Sequence, residues 1–163
     1  MIELHHFALS PFCRKVRLVL AEKKLDVELV EERYWERDPE FMRRNAAGKV
    51  PVMRIDGLTL SDSAAICEYL EETVPVPALL PGNAAARAET RRLVAWFDDK
   101  FHREVTSKLV YERVNKKITR AGYPDGAAIK AGMKAVKFHV DYMAWLLDQR
   151  RWLSGDVLTL ADF

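Results

Sequence analysis

The residues best suited to chemistry lie near the start of the chain, where Ser10-Pro11-Phe12-Cys13 separates a short apolar run, Ile2 to Phe7, from a stretch of helix formers. A helix N-terminus presents unpaired N–H groups and a partial positive charge, so a thiolate held there is stabilised and its pKa falls. A dithiol oxidoreductase places C-x-x-C at such a point. Ser10 in place of the first cysteine removes the nucleophile that dithiol exchange requires. What remains is a hydroxyl with two readings: it donates a hydrogen bond to a bound thiolate, stabilising it without covalent catalysis, or it only caps the helix, a position serine favours. Cys13, followed by Arg14, Lys15 and Arg17, is a candidate reactive thiol. A buried packing cysteine is the alternative.

Two further dipeptides have local chemistry. Val50-Pro51 precedes a strand-like run, and a cis bond there would offer the preceding backbone for strand-like pairing with a peptide. Asp62-Ser63 opens a helical stretch whose N–H groups and Ser63 hydroxyl can hold a carboxylate, while Asp62 can accept from an ammonium. A plain N-cap without a ligand predicts the same residues. The four histidines, His5, His6, His102 and His139, are scattered, and Cys13 and Cys67 lack metal-ligand spacing, so neither a metal site nor a disulfide is expected.

The elements that must position these groups follow from periodicity and punctuation. Ile2 to Phe7 predicts a strand, and Val16, Leu18, Val19, Leu20 and Lys23 a helix after Ser10-Pro11. Leu25 to Val30 alternates as a half-buried strand, and Asp38-Pro39 caps a short helix to about Arg44. Val50 to Leu60 reads as two strands joined by Asp56-Gly57, and a helix from Asp62 to about Thr73 follows, with Ser61 or Asp62 as its N-cap. The order β-α-β-α-β-β-α requires a mixed sheet of the thioredoxin type. Pro75, Pro77 and Pro81-Gly82 then form a stiff linker. Beyond it a helix from about Asn83 to Arg113 carries Leu93, Phe97, Phe101, Val105 and Leu109 four apart, with Trp96 beside them. A second, from about Ala127 to Gln149, carries a seam of Ile129, Met133, Val136, Val140, Met143 and Leu147. The expected organisation is an α/β domain over 1–75, a linker over 76–83 and an all-helical domain over 84–163.

Composition narrows the function classes. The 26 basic and 24 acidic residues are interleaved and leave a formal net charge of +2, with no basic stripe to neutralise phosphates, so nucleic-acid binding is not expected. No apolar run approaches the ~20 residues that span a bilayer, and the N-terminus lacks a signal-peptide layout, which predicts a cytoplasmic protein without membrane insertion.

With the motifs in place, the chain resembles the glutathione S-transferase superfamily. Ser10-Pro11-Phe12-Cys13-Arg14-Lys15-Val16-Arg17 looks like its first-helix motif, Asn45-Ala46-Ala47-Gly48-Lys49-Val50-Pro51 like its N-P-x-G-x-V-P segment, and Ser61-Asp62-Ser63-Ala64-Ala65-Ile66 like its E-S-x-A-I. The resemblance implies glutathione as co-substrate: thiolate near Ser10, central backbone on Val50 and Pro51, glutamate on Asp62 and Ser63, and glycyl carboxylate near Lys49. The second substrate would meet side chains such as Trp96 or His102. Asp62 departs from the usual Glu or Gln. Gly155 to Phe163 resembles the family's capping-box segment, in which Thr159 caps a helix and Asp162 reaches back. The family's helical domain continues beyond that helix, so the resemblance implies an incomplete one here.

A narrower resemblance is to the alphaproteobacterial FzlA group, carried by Glu31 to Arg37, Arg92 to Phe101, Tyr111 to Lys117 and Trp145 to Leu153. It implies a homodimeric cell-division protein that binds the tubulin-like FtsZ with little or no conjugation activity. Arg33, Trp35 and Arg37 are of the types enriched at binding hot spots and become the candidate partner residues; packing of Trp35 over the domain interface is the alternative. A glutathione-dependent transferase acting on a small electrophile is the competing function.

Overall fold

Strand β1 (Ile2–His6) takes hydrogen bonds on both edges. On one side β2 (Val27–Glu31) runs parallel, with Ile2 opposite Val27 and His6 opposite Glu31. On the other β3 (Val52–Ile55) runs antiparallel, with His5 opposite Val52. Asp56 (φ 48°) and Gly57 (φ 85°) supply the two left-handed positions of a tight hairpin into β4 (Leu58–Ser61). The computed structural model describes residues 1–163, and its sheet order is β2-β1-β3-β4. This is the mixed sheet that the element order demands.

Local capping sets where the helices begin. Ser10 and Pro11 start α1 (Pro11–Glu22), and Asp38, whose Oδ1 accepts from the N–H groups of Glu40 (2.9 Å) and Phe41 (3.1 Å), starts α2 (Pro39–Arg44). Asp62 starts α3 (Ser63–Thr73). Leu4, Val16, Val19, Leu20, Met53, Ile66 and Leu70 are fully buried around the sheet. Leu18 is exposed, since two residues from Val16 it lies some 200° around α1. The edge strand begins at Val27 rather than Leu25, and Leu29 is exposed.

Lys23, just past α1, is a buried charge of this unit. Its Nζ meets Glu71 Oε1 at 2.6 Å and donates to the carbonyls of Val74 (2.6 Å) and Pro77 (2.9 Å), while Glu71 Oε2 accepts from the Leu79 N–H at 3.0 Å. The pair anchors the chain that leaves α3. Removing one partner of such a pair strands the other charge in the interior, at a cost of about 3–5 kcal/mol.

The chain divides into two compact units, Met1–Leu79 with Phe163 and Leu80–Asp162. In the second, α4 (Ala84–Ala95) continues as helix to Thr119 but with wider, i→i+5 turns over Trp96–Thr106 and Tyr111–Asn115. This differs from a uniform helix ending near Arg113. The widened turns account for the apolar residues four apart. A spacing of four overshoots the 3.6-residue α turn and undershoots an i→i+5 turn, so alternating the two keeps Leu93 to Leu109 on one face.

The last long helix, Gly126–Leu147, corrects the expected seam. Gly132, His139 and Leu146 form the buried line, and Met133, Val140 and Leu147, each one residue on, are exposed. Two heptad stripes 100° apart compete for the same interface. Gly132 decides between them, because a Cβ there would lie 2.9 Å from Leu109 Cδ2, so only glycine permits the close approach.

The tail is tied back within this unit. Asp162 Oδ2 accepts from the Thr159 N–H (2.9 Å), and hydroxyl contacts run from Thr159 to Ser154 (2.9 Å) and from Ser154 to Thr90 (3.1 Å). Nearby, Glu89 takes two hydrogen bonds from Arg92 (2.8 and 2.9 Å) and one from Arg150 (2.9 Å), which hold its carboxyl down to about 2.

Two stability predictions follow from these buried and shared charges. Lys23→Met should lower the urea-unfolding free energy by about 3 kcal/mol or more; a loss under about 1 kcal/mol would contradict the anchoring role. Arg150→Ala should cost about 1 kcal/mol at neutral pH. Because Glu89 is depressed from 4.5 to about 2, its contribution is present above pH 4.5 and lost as pH falls through about 2, so the two proteins should converge in stability across that window.

Candidate functional site at one end of the sheet

Parallel pairing puts the ends of β1 and β2 at the same edge of the sheet, and the antiparallel strands place the start of β3 and the end of β4 there as well. His6 is opposite Glu31, His5 opposite Val52, and Val52 opposite Ser61. The segments that continue from those residues, Phe7 to Ser10, Glu32 to Arg37, Val50-Pro51 and Asp62-Ser63, therefore gather at one end. Three stretches that looked suited to chemistry, and the candidate partner segment, are brought to one end by strand register.

The Ser10 loop is held from within. Ser10 donates its N–H to the Phe7 carbonyl (3.0 Å), and its Oγ accepts from the Cys13 N–H (3.2 Å). As an acceptor in the cap the buried hydroxyl still carries its own proton, with the Cys13 thiol as a hydrogen-bond neighbour. Both readings of Ser10 are thus compatible. Arg17 fixes the same loop, donating to the Ala8 carbonyl (3.2 Å) and to His6 Nδ1 (3.2 Å). Burial, then the Arg17 charge, pushes His6 below its usual value and keeps Nδ1 an acceptor. The Cys13 side chain is fully buried, and that burial raises its thiol despite the helix N-terminus and the nearby Arg17.

The Val50 edge is shaped by Asn45. Its Nδ2 donates to the Lys49 carbonyl (2.8 Å) and its Oδ1 accepts from the Ala47 N–H (3.1 Å), an Asx-type turn that sets the path from α2 into β3. The Val50-Pro51 peptide is cis, Val50 is buried and Lys49 is exposed. Gly48 sits in this turn at φ 61°, and a Cβ there would lie 2.9 Å from Met42 Sδ and 3.3 Å from Arg37 Nη1.

Asp62 takes the N-cap role that one of its two readings gave it. It adopts φ 79°, unusual for a residue other than glycine, and its Oδ1 accepts from the N–H groups of Ala64 (2.8 Å) and Ala65 (3.2 Å). Two of the helix's free donors are thereby satisfied internally. A bound carboxylate at this terminus is left the Ser63 N–H and hydroxyl.

The segment after β2 forms a single tight turn, Tyr34–Glu36, with Arg37 left-handed at φ 52°. Trp35 packs edge-on against Phe7 (5.2 Å) and Tyr34 (5.3 Å), against the cluster of Phe7, Cys13, Phe41, Val50 and Val52. Arg33 and Arg37 are exposed on either side of it, Arg33 within 3.4 Å of Glu36. Trp96 and His102 belong to the second unit, where Trp96 donates its indole N–H to His139 Nδ1 (3.1 Å). The structure has no cluster of three or more His, Cys, Asp or Glu side chains placed to hold a metal ion, and no helix long and apolar enough to cross a membrane.

Sequence reasoning passed over Asn45 and Arg17 as positioning residues. An Asn two residues before an unpaired N–H is a local turn signal and was available. The Arg17 contacts link one turn of a helix to a preceding loop and leave no local trace.

Comparison with known proteins agrees with this architecture. The domain family described as glutathione S-transferase, N-terminal domain, matches residues 4–78. A glutathione S-transferase from Rhodospirillum rubrum F11 superposes with a TM-score of 0.96 at 55% identity, over 99% of this chain and 73% of that one. The chain belongs to the glutathione S-transferase family. More particularly, it is similar to FtsZ-localized protein A of Caulobacter vibrioides, 44% identical over 98% of this chain and 72% of that protein. The solved structure of FzlA from C. crescentus superposes with a TM-score of 0.94 at 43% identity, over 98% of this chain and 73% of that one.

The burial of both cysteines makes a direct prediction. A disulfide-exchange reagent such as Ellman's should label neither Cys13 nor Cys67 in the native protein at mildly alkaline pH, and both after denaturation. Rapid labelling of Cys13 in the folded state would contradict a raised, buried thiol.

Proposed function

We propose that this chain is a glutathione-transferase-like regulator of cell division that binds FtsZ, with little or no conjugation activity, acting in the cytoplasm as a homodimer. The observation that carries the reading is the Arg33-Trp35-Arg37 turn: an indole anchored edge-on to Phe7 and Tyr34, with an exposed arginine two residues to each side in the chain. A rigid aromatic flanked by arginines is the make-up of a binding hot spot, because the ring is ordered before the partner arrives and little rotamer freedom is lost on docking. Similarity to a protein named for its localisation with FtsZ supplies the partner. The buried, raised Cys13 and the self-capped Asp62 both weigh against efficient chemistry on this scaffold.

A glutathione-dependent transferase is the second reading, favoured by the Ser10 hydroxyl, which caps α1 as an acceptor and retains a proton to give a thiolate. Lys49, Val50, Pro51, Asp62 and Ser63 would hold the rest of the tripeptide. Ultraviolet absorbance of the thiolate in the presence of protein tests it, and absence of binding at millimolar glutathione removes it.

Co-sedimentation with FtsZ polymers, using the complete gene product, tests the principal reading: the protein should pellet with polymer and stay in solution without it. Arg33→Glu or Arg37→Glu should weaken the association by about 30-fold, the equivalent of roughly 2 kcal/mol for a hot-spot arginine, with the thermal unfolding midpoint unchanged. Failure of the wild-type protein to pellet would overturn the assignment.

A further inference from the structure

We infer that Arg37 is shared between the partner surface and the peptide-binding edge at Lys49-Val50, so that an extended anionic peptide thiol of the glutathione type and the FtsZ partner exclude one another. The inference rests on the FtsZ-binding reading and adds its regulation. Arg37 sits directly between a turn that packs on the core and a capped helix: its N–H donates to the Tyr34 carbonyl (3.3 Å), and the next residue, Asp38, caps α2. Its backbone is left-handed, which gives the side chain a direction it would not have in an extended or helical turn. That direction leads over Gly48, where Nη1 lies 3.3 Å from the position of a Cβ that glycine lacks. Lys49 and Val50 come next in the chain, held by the Asn45 contact to the Lys49 carbonyl.

Arg37 thus borders two surfaces at once: its backbone closes the Tyr34–Glu36 turn and its guanidinium lies over Gly48. On one side is the Trp35 turn. On the other is the edge where an extended peptide would pair with Val50, and where Lys49 is an exposed cation for a terminal carboxylate. A carboxylate bound in bidentate fashion fixes the plane of the guanidinium. An Arg37 turned to a ligand carboxylate at the Lys49 edge is therefore not presented beside Trp35, and one engaged with an acidic partner is withdrawn from the ligand. Coupling of this kind is reciprocal: each occupant weakens the other by the same factor.

The test is FtsZ co-sedimentation of the complete gene product, titrated with glutathione and, at matched ionic strength, with its C-terminal amide, which lacks the glycyl carboxylate. Binding of each peptide is measured independently by calorimetry. Glutathione should weaken pelleting by about fivefold or more, in the usual range of coupling between sites, and the amide should not. In Arg37→Gln the residual pelleting should be insensitive to glutathione, and Arg37→Lys should behave like Arg37→Gln, because it keeps the charge but not the fork. Glutathione that binds without reducing pelleting would overturn the coupling and leave FtsZ binding intact. Glutathione that does not bind, or that inhibits Arg37→Gln as strongly as wild type, would overturn it too. Wild-type protein that fails to pellet without any peptide would overturn both readings together.

Discussion

The packing of Phe7 is the contact on which the rest of the sheet end depends. It is the first residue beyond β1, 5% exposed, and it lies in one cluster with Cys13 from α1, Phe41 from α2, and Val50 and Val52 at the start of β3. Tyr34 and Trp35 close on it edge-on at 6.0 and 5.2 Å. Edge-on aromatic pairs contribute about 0.5–1.5 kcal/mol each beyond their area burial, so one ring ties together segments that are 27 or more residues apart in sequence. The Ser10 loop, the Val50 edge and the Trp35 turn cannot then shift independently. A displacement of any one would open a void against Phe7, and such voids cost both lost contacts and lost apolar transfer.

This coupling explains why the parts of the site were legible in the sequence while their assembly was not. Ser10-Pro11, Asp38-Pro39, Asp62-Ser63 and Asp56-Gly57 announce themselves because caps and tight turns are decided within four residues. Each is found where the residue types placed it. The gathering of these motifs at one end depends on strand register, which no single motif encodes. Asp62 marks the limit of local reading. The same carboxylate suits an ammonium ligand or its own helix, and only the geometry assigns Oδ1 to Ala64 and Ala65.

The helical unit gives the sharper lesson. On Gly126–Leu147 two apolar stripes lie one residue apart, and hydrophobicity alone prefers Met133, Val140 and Leu147 to Gly132, His139 and Leu146. The buried stripe is the less apolar one because two tertiary conditions outweigh side-chain transfer. Gly132 lets Leu109 approach, and His139 finds a donor in Trp96 (3.1 Å) and a carboxylate in Glu104 (3.0 Å). Since an indole N–H only donates, His139 Nδ1 must be unprotonated and Nε2 must carry the proton toward Glu104. A fully buried histidine satisfied on both nitrogens incurs little of the penalty of burying a polar side chain.

The same accounting of polar groups bears on what the sheet end can do. Asp62 spends one carboxylate oxygen on its own helix, His6 Nδ1 is engaged by Arg17, and Arg33 is drawn to Glu36. Cys13, which a helix N-terminus alone would activate, is instead held protonated by burial. What stays exposed includes the ammonium of Lys49, the guanidinium of Arg37 and the second carboxylate oxygen of Asp62. The two cations are of the kind that pair with carboxylates. With the Cys13 thiol buried and raised, a reactive thiolate at this end would have to be carried in by a ligand.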